Sequence, residues 1–99
     1  MSGNAKFWIK GVTTRDHSFH IFDNGSRKFE TCIVTSFRLK KNDREVADFH
    51  NIVAWGERAD ILNELVVKGS KLTCDGRIRY RKDGDRTFTD LEIDWFEVG

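Results

Sequence analysis

Phe49 and Trp55 sit in a stretch, FHNIVAW, where side chains alternate in character, and further along Arg77, Arg79 and Arg81 recur at every second position before Lys82. In an extended strand, residues two apart share a face. Phe49, Asn51, Val53 and Trp55 then line one side of the first segment, with His50, Ile52 and Ala54 on the other. The three arginines line one side of the second segment, with Ile78 and Tyr80 opposite. Exposed rings can stack on bases and guanidinium groups can hold phosphates. That is the chemistry a single-stranded nucleic acid calls for.

The elements that must position these rows punctuate themselves. Phe7 to Val12 reads as a strand in which Gly11 permits a bend or a close backbone approach. Thr13 to Lys28 is polar and turn-rich, with Asp23-Asn24-Gly25-Ser26 a hairpin signal. Phe29 to Lys40 is a long β-branched and aromatic strand, and Lys41 to Val46 a charged loop. After the Phe49 strand, Gly56 ends the extended run. Ala59, Ile61, Leu62, Leu65 and Val66 then predict a helix from Glu57 to Lys68, stopped by Gly69. Leu72 to Lys82 and Thr87 to Val98 are strands joined by a turn at Asp83-Gly84-Asp85. Five strands with a helix between the third and fourth is the arrangement of the OB-fold, a small all-β Greek-key barrel. The whole chain, 1–99, is expected to form one such domain.

The stretch from Phe49 to Lys82 resembles the core of the bacterial-type single-stranded DNA-binding protein family. Phe49-His50, the apolar run from Ile52 closing at Trp55-Gly56, the short helix, Lys68-Gly69-Ser70, and the strand from Gly76 to Lys82 match the family pattern in order and spacing. Weaker matches cover Asn24-Gly25 through Thr35-Ser36 and Asp85-Arg86 through Ile93. The resemblance implies that Phe49 and Trp55 stack bases and that His50 lies at a subunit interface. Acidification, or His50→Lys, is then expected to loosen a homo-oligomer by placing charge in that contact. The resemblance also puts a further stacking ring near Phe37, although its spacing points to Leu39 as readily. The family's fourth aromatic falls at Asp83, which cannot stack, so a shorter or weaker footprint is expected. Family members usually continue past the barrel into a Gly/Pro-rich tail with an acidic-apolar tip. This sequence stops at Gly99, so recruitment of proteins through such a tail is not expected.

Composition narrows the alternatives. Seventeen Lys and Arg against sixteen Asp and Glu leave a net charge of +1, modest for a nucleic-acid binder. Distribution matters more than the sum. Gly76 to Lys82 holds four cations and no acid, whereas Asp83 to Glu97 holds six acids and only Arg86. A basic groove with an acidic side elsewhere is the expectation. Cys32 and Cys74, inside strands of a leaderless chain, read as reduced small hydrophobes in a cytoplasmic, nucleoid-associated protein. No stretch approaches the ~20 apolar residues of a membrane span. His17-Ser18-Phe19-His20 offers only two ligands, and neither cysteine belongs to a C-x-x-C pair, so no metal or other cofactor is expected. No nucleophile stands beside a base, and catalysis is not expected. Phe7, Trp8 and Trp95 read as core or subunit contacts.

The sequence thus points to a sequence-tolerant single-stranded DNA-binding protein of replication, recombination or repair. Phe49, Trp55 and Phe37 would stack bases. Arg77, Arg79, Arg81 and Lys82 would hold phosphates, with Lys40 and Lys41 extending the path. The alternatives are an OB module working mainly through protein contacts, such as a primosome or recombination accessory factor, and a cold-shock-like RNA binder. Near-neutral charge and Asp83 favour the accessory factor, and the aromatic and arginine rows favour DNA.

Overall fold

Alternation of side chains drives most of this chain into strands, and a computed structural model describes residues 4–99. The order is β1 (Lys6–Thr13), β2 (Ser18–Ile21), β3 (Arg27–Leu39), β4 (Arg44–Trp55), α1 (Glu57–Leu65), β5 (Lys71–Asp83) and β6 (Arg86–Val98). The strands run β1-β5-β6-β4-β3-β2 across one sheet, and β1 returns to β3 at Val12↔Val34 and Thr13↔Ile33. That return closes the barrel of an OB-fold. β4 and β6 pair in parallel at Ile52↔Leu91 and Val53↔Glu92; the other pairings are antiparallel.

Inward positions carry the apolar residues. Ile9, Phe29, Ile33, Ile52, Ala54, Leu72, Cys74 and Ile93 meet the buried helix residues Ala59 and Leu62. Two glycines let the barrel close. A Cβ on Gly11 would collide with the carbonyl oxygen of Val34, and one on Gly76 with that of Glu92. Close approach is therefore what Gly11 provides. At Gly76 the register between β5 and β6 slips by one residue, and Asp94 is left without a partner across the ladder.

The five expected strands are present, and a sixth joins them. β2 is only four residues long and pairs along the outer edge of β3, with Phe19 opposite Phe29. It is followed by the expected turn, in which Phe22 N–H donates to Ser26 O at 2.8 Å and Ser26 N–H to Asn24 Oδ1 at 3.0 Å. The extra strand places α1 between the fourth and fifth strands rather than the third and fourth. β4 also begins at Arg44, inside the segment expected to be a charged loop.

The helix is shorter than its periodicity predicts. It ends at Leu65; Val66 turns extended (φ −89°, ψ 131°) and buries its side chain in the core. Two consecutive β-branched residues weaken the helix there. Gly69 (φ 89°) serves a turn beyond it rather than a helix cap. In that turn the Ser70 hydroxyl accepts from Val67 N–H at 2.9 Å, while the Thr13 hydroxyl donates to Val67 O at 2.8 Å. Lys68-Gly69-Ser70 is thus a clasp onto the end of β1. At the other end of α1, Arg27 grips Asp60 through Nε and Nη2 at 2.8 and 2.7 Å. This hydrogen-bonded pair holds the Asp60 carboxyl below its ordinary range and raises the Arg27 guanidinium.

The radius of gyration is 14.9 Å, against roughly 13 Å for a compact chain of this length. The excess comes from two long hairpins, β3–β4 and β5–β6, whose tips stand off the barrel as exposed arms. Among the described residues, no helix is long and apolar enough to cross a membrane.

Candidate nucleic-acid interface

The register across the strands shows which side chains share the outer face. Val34, Cys32, Glu30 and Lys28 on β3 stand opposite Phe49, Asn51, Val53 and Trp55 on β4. Val53 lies opposite Glu92 of β6, which pairs with Arg77 of β5, and Arg79 pairs with Asp90. The aromatic row and the arginine row therefore belong to one surface, separated by the single strand β6. Phe49 is 66 % and Trp55 41 % exposed, whereas Val53 between them is buried at 1 %. Six residues at ~3.4 Å each place the two rings roughly 20 Å apart along β4.

Trp55 stands where two grooves meet. One, of about 350 Å³, is lined by Trp55, Arg79, Tyr80, Arg81, Asp90 and Glu92. The other, of about 570 Å³, is lined by Trp55 with Phe22, Asp23, Asn24 and Ser26 of the β2–β3 turn. Phe22 stacks on Trp55 with centroids 5.9 Å apart and planes inclined by 26°, and Lys28 Nζ lies 5.6 Å from the Trp55 ring. His20 adds an edge-on contact to Phe22 at 4.3 Å. The sequence reading missed Phe22. A lone Phe before a turn carries no periodic signal, and only the turn brings it over Trp55.

Electrostatics on this face differ from the expected separation of basic groove and acidic side. Arg77 contacts Glu92 at 2.9 Å and Asp94 at 3.8 Å, and Arg81 contacts Asp90 at 2.9 Å while lying 4.7 Å from the Phe88 ring centre. The acids of β6 are the cross-strand partners of the arginines of β5. Lys28 similarly reaches Glu30 at 3.8 Å, whose carboxylate also accepts from Asn51 Nδ2 at 2.7 Å. Among the described residues, Arg79 has no ion-pair partner, and neither have Lys82, Lys40 and Lys41.

The other expected site residues lie away from this surface. Phe37 pairs with Val46, an odd number of positions along β3 from Val34, so it faces the opposite side of its arm from Phe49; Leu39 shares that side. Lys40 and Lys41 occupy the tip of the same arm. Lys82 is on the Tyr80 side of β5, opposite Arg79 and Arg81. His50 also faces away from Phe49, with Nε2 2.9 Å from the Thr35 hydroxyl. Phe7 packs against the core, but Trp8 and Trp95 are exposed, both beside Asp75 on one outward row. Of the two histidines in the H-x-x-H spacing, His17 Nε2 is 2.7 Å from Asn63 Oδ1 and His20 rests on Phe22.

The model of the single-strand binding protein family matches residues 5–97. The chain belongs to that family. A single-stranded DNA-binding protein from Bacteroides thetaiotaomicron is 32 % identical over 114 residues, a match covering 99 % of this chain and 66 % of the relative. One from Borreliella burgdorferi is 27 % identical over 84 residues, covering 83 % of this chain and 56 % of the relative. The chain thus spans between about half and two thirds of these relatives' length. Among solved structures, the single-stranded DNA-binding protein of Thermus aquaticus superposes with a TM-score of 0.82 at 19 % identity, over 94 % of this chain and 48 % of that one. The small single-stranded DNA-binding protein of Streptomyces coelicolor gives 0.70 at 15 % identity, over 98 % and 94 %. At such identities these superpositions bear on the fold alone, and they agree with the barrel described above.

Proposed function

We propose that this protein binds single-stranded DNA with little sequence preference and protects it during replication, recombination or repair. The observation that carries this reading is the position of Trp55, a half-exposed ring between two grooves and beside Arg79 and Arg81. Bases stack on Trp55 and, further along β4, on Phe49. Arg79 supplies the phosphate contact that needs no rearrangement, whereas Arg77 and Arg81 must first exchange a carboxylate for a phosphate. Lys82, Lys40, Lys41 and Phe37, on the arms, extend the path only if the strand wraps around an arm's edge. The reading requires no catalytic step and no cofactor. It places the protein with the nucleoid in the cytoplasm, where its ligand is found.

A homo-oligomer is part of the proposal. Supporting it are the exposed Trp8 and Trp95 and the outer edge of β1, where Lys6 to Gly11 pair with β5 on one side only. The same tryptophans favour, as a second reading, an accessory factor that works through protein contacts.

Stacking is worth ~1–3 kcal/mol per base, so Trp55→Ala should weaken binding to oligo-dT by roughly 5- to 150-fold. Trp8→Ala, remote from both grooves, should leave the intrinsic affinity unchanged. A folded Trp55→Ala protein that binds as tightly as wild type would remove the DNA path from this face.

A further inference from the structure

We infer that the groove between Phe22 and Trp55 is a base-reading subsite that prefers guanine, set within an otherwise sequence-tolerant path. The inference rests on the single-stranded DNA reading above. It begins with what the groove lacks. Its lining is Phe22, Asp23, Asn24, Ser26 and Trp55, without a cation and with one acid. Two cations flank it, and both are engaged: Lys28 is drawn toward Glu30 and the indole, and Arg27, which donates to Gly25 O at 3.4 Å, is gripped by Asp60. A phosphate would meet the Asp23 carboxylate here, so the backbone must pass elsewhere and the groove takes a base.

The rings supply the platform. Their centroids are 5.9 Å apart, short of the ~7 Å needed to sandwich a base at two ordinary contact distances. A base therefore lies across the exposed faces of the Phe22–Trp55 pair, which favours the larger purine rings.

The lip of the groove supplies the reading. Asn24 Oδ1 is committed to Ser26 N–H, and Phe22 N–H and O are committed within the turn. The Asp23 carboxylate makes no hydrogen bond or ion pair among the described residues. An ionised carboxylate only accepts, and its two oxygens match two parallel N–H donors. Guanine presents such a pair, N1–H and N2–H, on its Watson–Crick edge. Cytosine and adenine offer an amino group beside an acceptor. Thymine flanks its single N–H with two carbonyls, which repel the carboxylate. The Asn24 amide N–H2 and the Ser26 hydroxyl can donate to an acceptor on any base, so the carboxylate is what discriminates, and guanine is its best partner.

The test compares an oligo-dT tract with the same tract carrying a single central dG, on wild type, Asp23→Asn and Phe22→Ala. In an open groove a bidentate contact to a base discriminates at the lower end of its range, and wild type should bind the dG oligonucleotide about 5-fold more tightly. Asp23→Asn should abolish that ratio while raising affinity for oligo-dT, because the charge that repels both phosphates and thymine carbonyls is gone. Using the ratio cancels the general gain from removing a negative charge. Phe22→Ala should weaken binding to both oligonucleotides. Equal affinities in wild type, or a ratio unchanged by Asp23→Asn, would overturn the subsite and leave the parent reading standing. Failure of wild type to bind either oligonucleotide would refute the parent reading, and the subsite with it.

Discussion

Arg79 and Arg81 face the same groove, but only Arg81 is held by a carboxylate, and this difference should be visible in the salt dependence of DNA binding. Each phosphate neutralised on a single strand contributes a slope of about −0.7 to a plot of log affinity against log salt. Arg79 has no ion-pair partner among the described residues, so its phosphate contact is a net release of counterions. Arg79→Ala should make the slope shallower by about 0.7, equivalent to losing about a 2.6-fold effect for each fourfold change in salt. Arg81, 2.9 Å from Asp90, exchanges one anion for another when it takes a phosphate. The displaced Asp90 carboxylate then gathers its own cations, so Arg81→Ala should change the slope by less. Asp90→Asn should free Arg81, raise affinity at low salt and steepen the slope. The assay is oligo-dT affinity measured from 0.05 to 0.5 M NaCl, a range chosen to span about one decade. A slope unaltered in Arg79→Ala, or altered equally in both alanine variants, would refute the assignment of free and paired arginines.

Two further predictions concern the barrel and its assembly. Burial pushes the Cys74 thiol up to about 12, aided by the nearby Asp75 charge, while half-buried Cys32 lies on the outer face. Maleimide should label the native protein at Cys32 only, and both thiols once it unfolds. Because the folded-state value is the raised one, this group's stabilising contribution is intact below the unfolded thiol's ordinary value near 9 and is lost as pH climbs toward 12; stability should fall less steeply across that window in Cys74→Ala than in wild type. His50→Lys should shift light-scattering mass toward the monomer if His50 lies in a subunit contact; an unchanged mass in a folded variant would assign His50 to its bond with Thr35 alone.

What was legible in the sequence followed from period-two alternation. The faces of β4 and β5 and the hairpin at Asp23 to Ser26 could be read from local residue types, whereas at Gly11 they left a bend and a close approach open until Val34 was seen against it. The acids of β6 could not be placed, because their pairing with Arg77 and Arg81 depends on the β5–β6 register and on the slip at Gly76. Phe37 likewise could be assigned to a side only once Val34 was seen opposite Phe49. Val66 continued the helical pattern although the chain had already turned to bury it. β2 escaped notice because Ser18-Phe19-His20-Ile21, although it alternates, is only four residues long within a polar segment, and with it escaped the placing of Phe22 against Trp55.

The central claim is that the outer face around Trp55 is a single-strand path, and tryptophan fluorescence tests it most directly. Of the three tryptophans, only Trp55 lines the proposed grooves, while Trp8 and Trp95 lie together on another part of the sheet. Titrating a Trp8→Phe, Trp95→Phe protein with oligo-dT, a DNA duplex and single-stranded RNA reports on Trp55 alone. Saturable quenching by oligo-dT, with much weaker quenching by the duplex, is the predicted result, and RNA quenching as strongly as DNA would redirect the account to an RNA ligand. Emission unchanged by oligo-dT, or equal quenching by duplex and single strand, would contradict it.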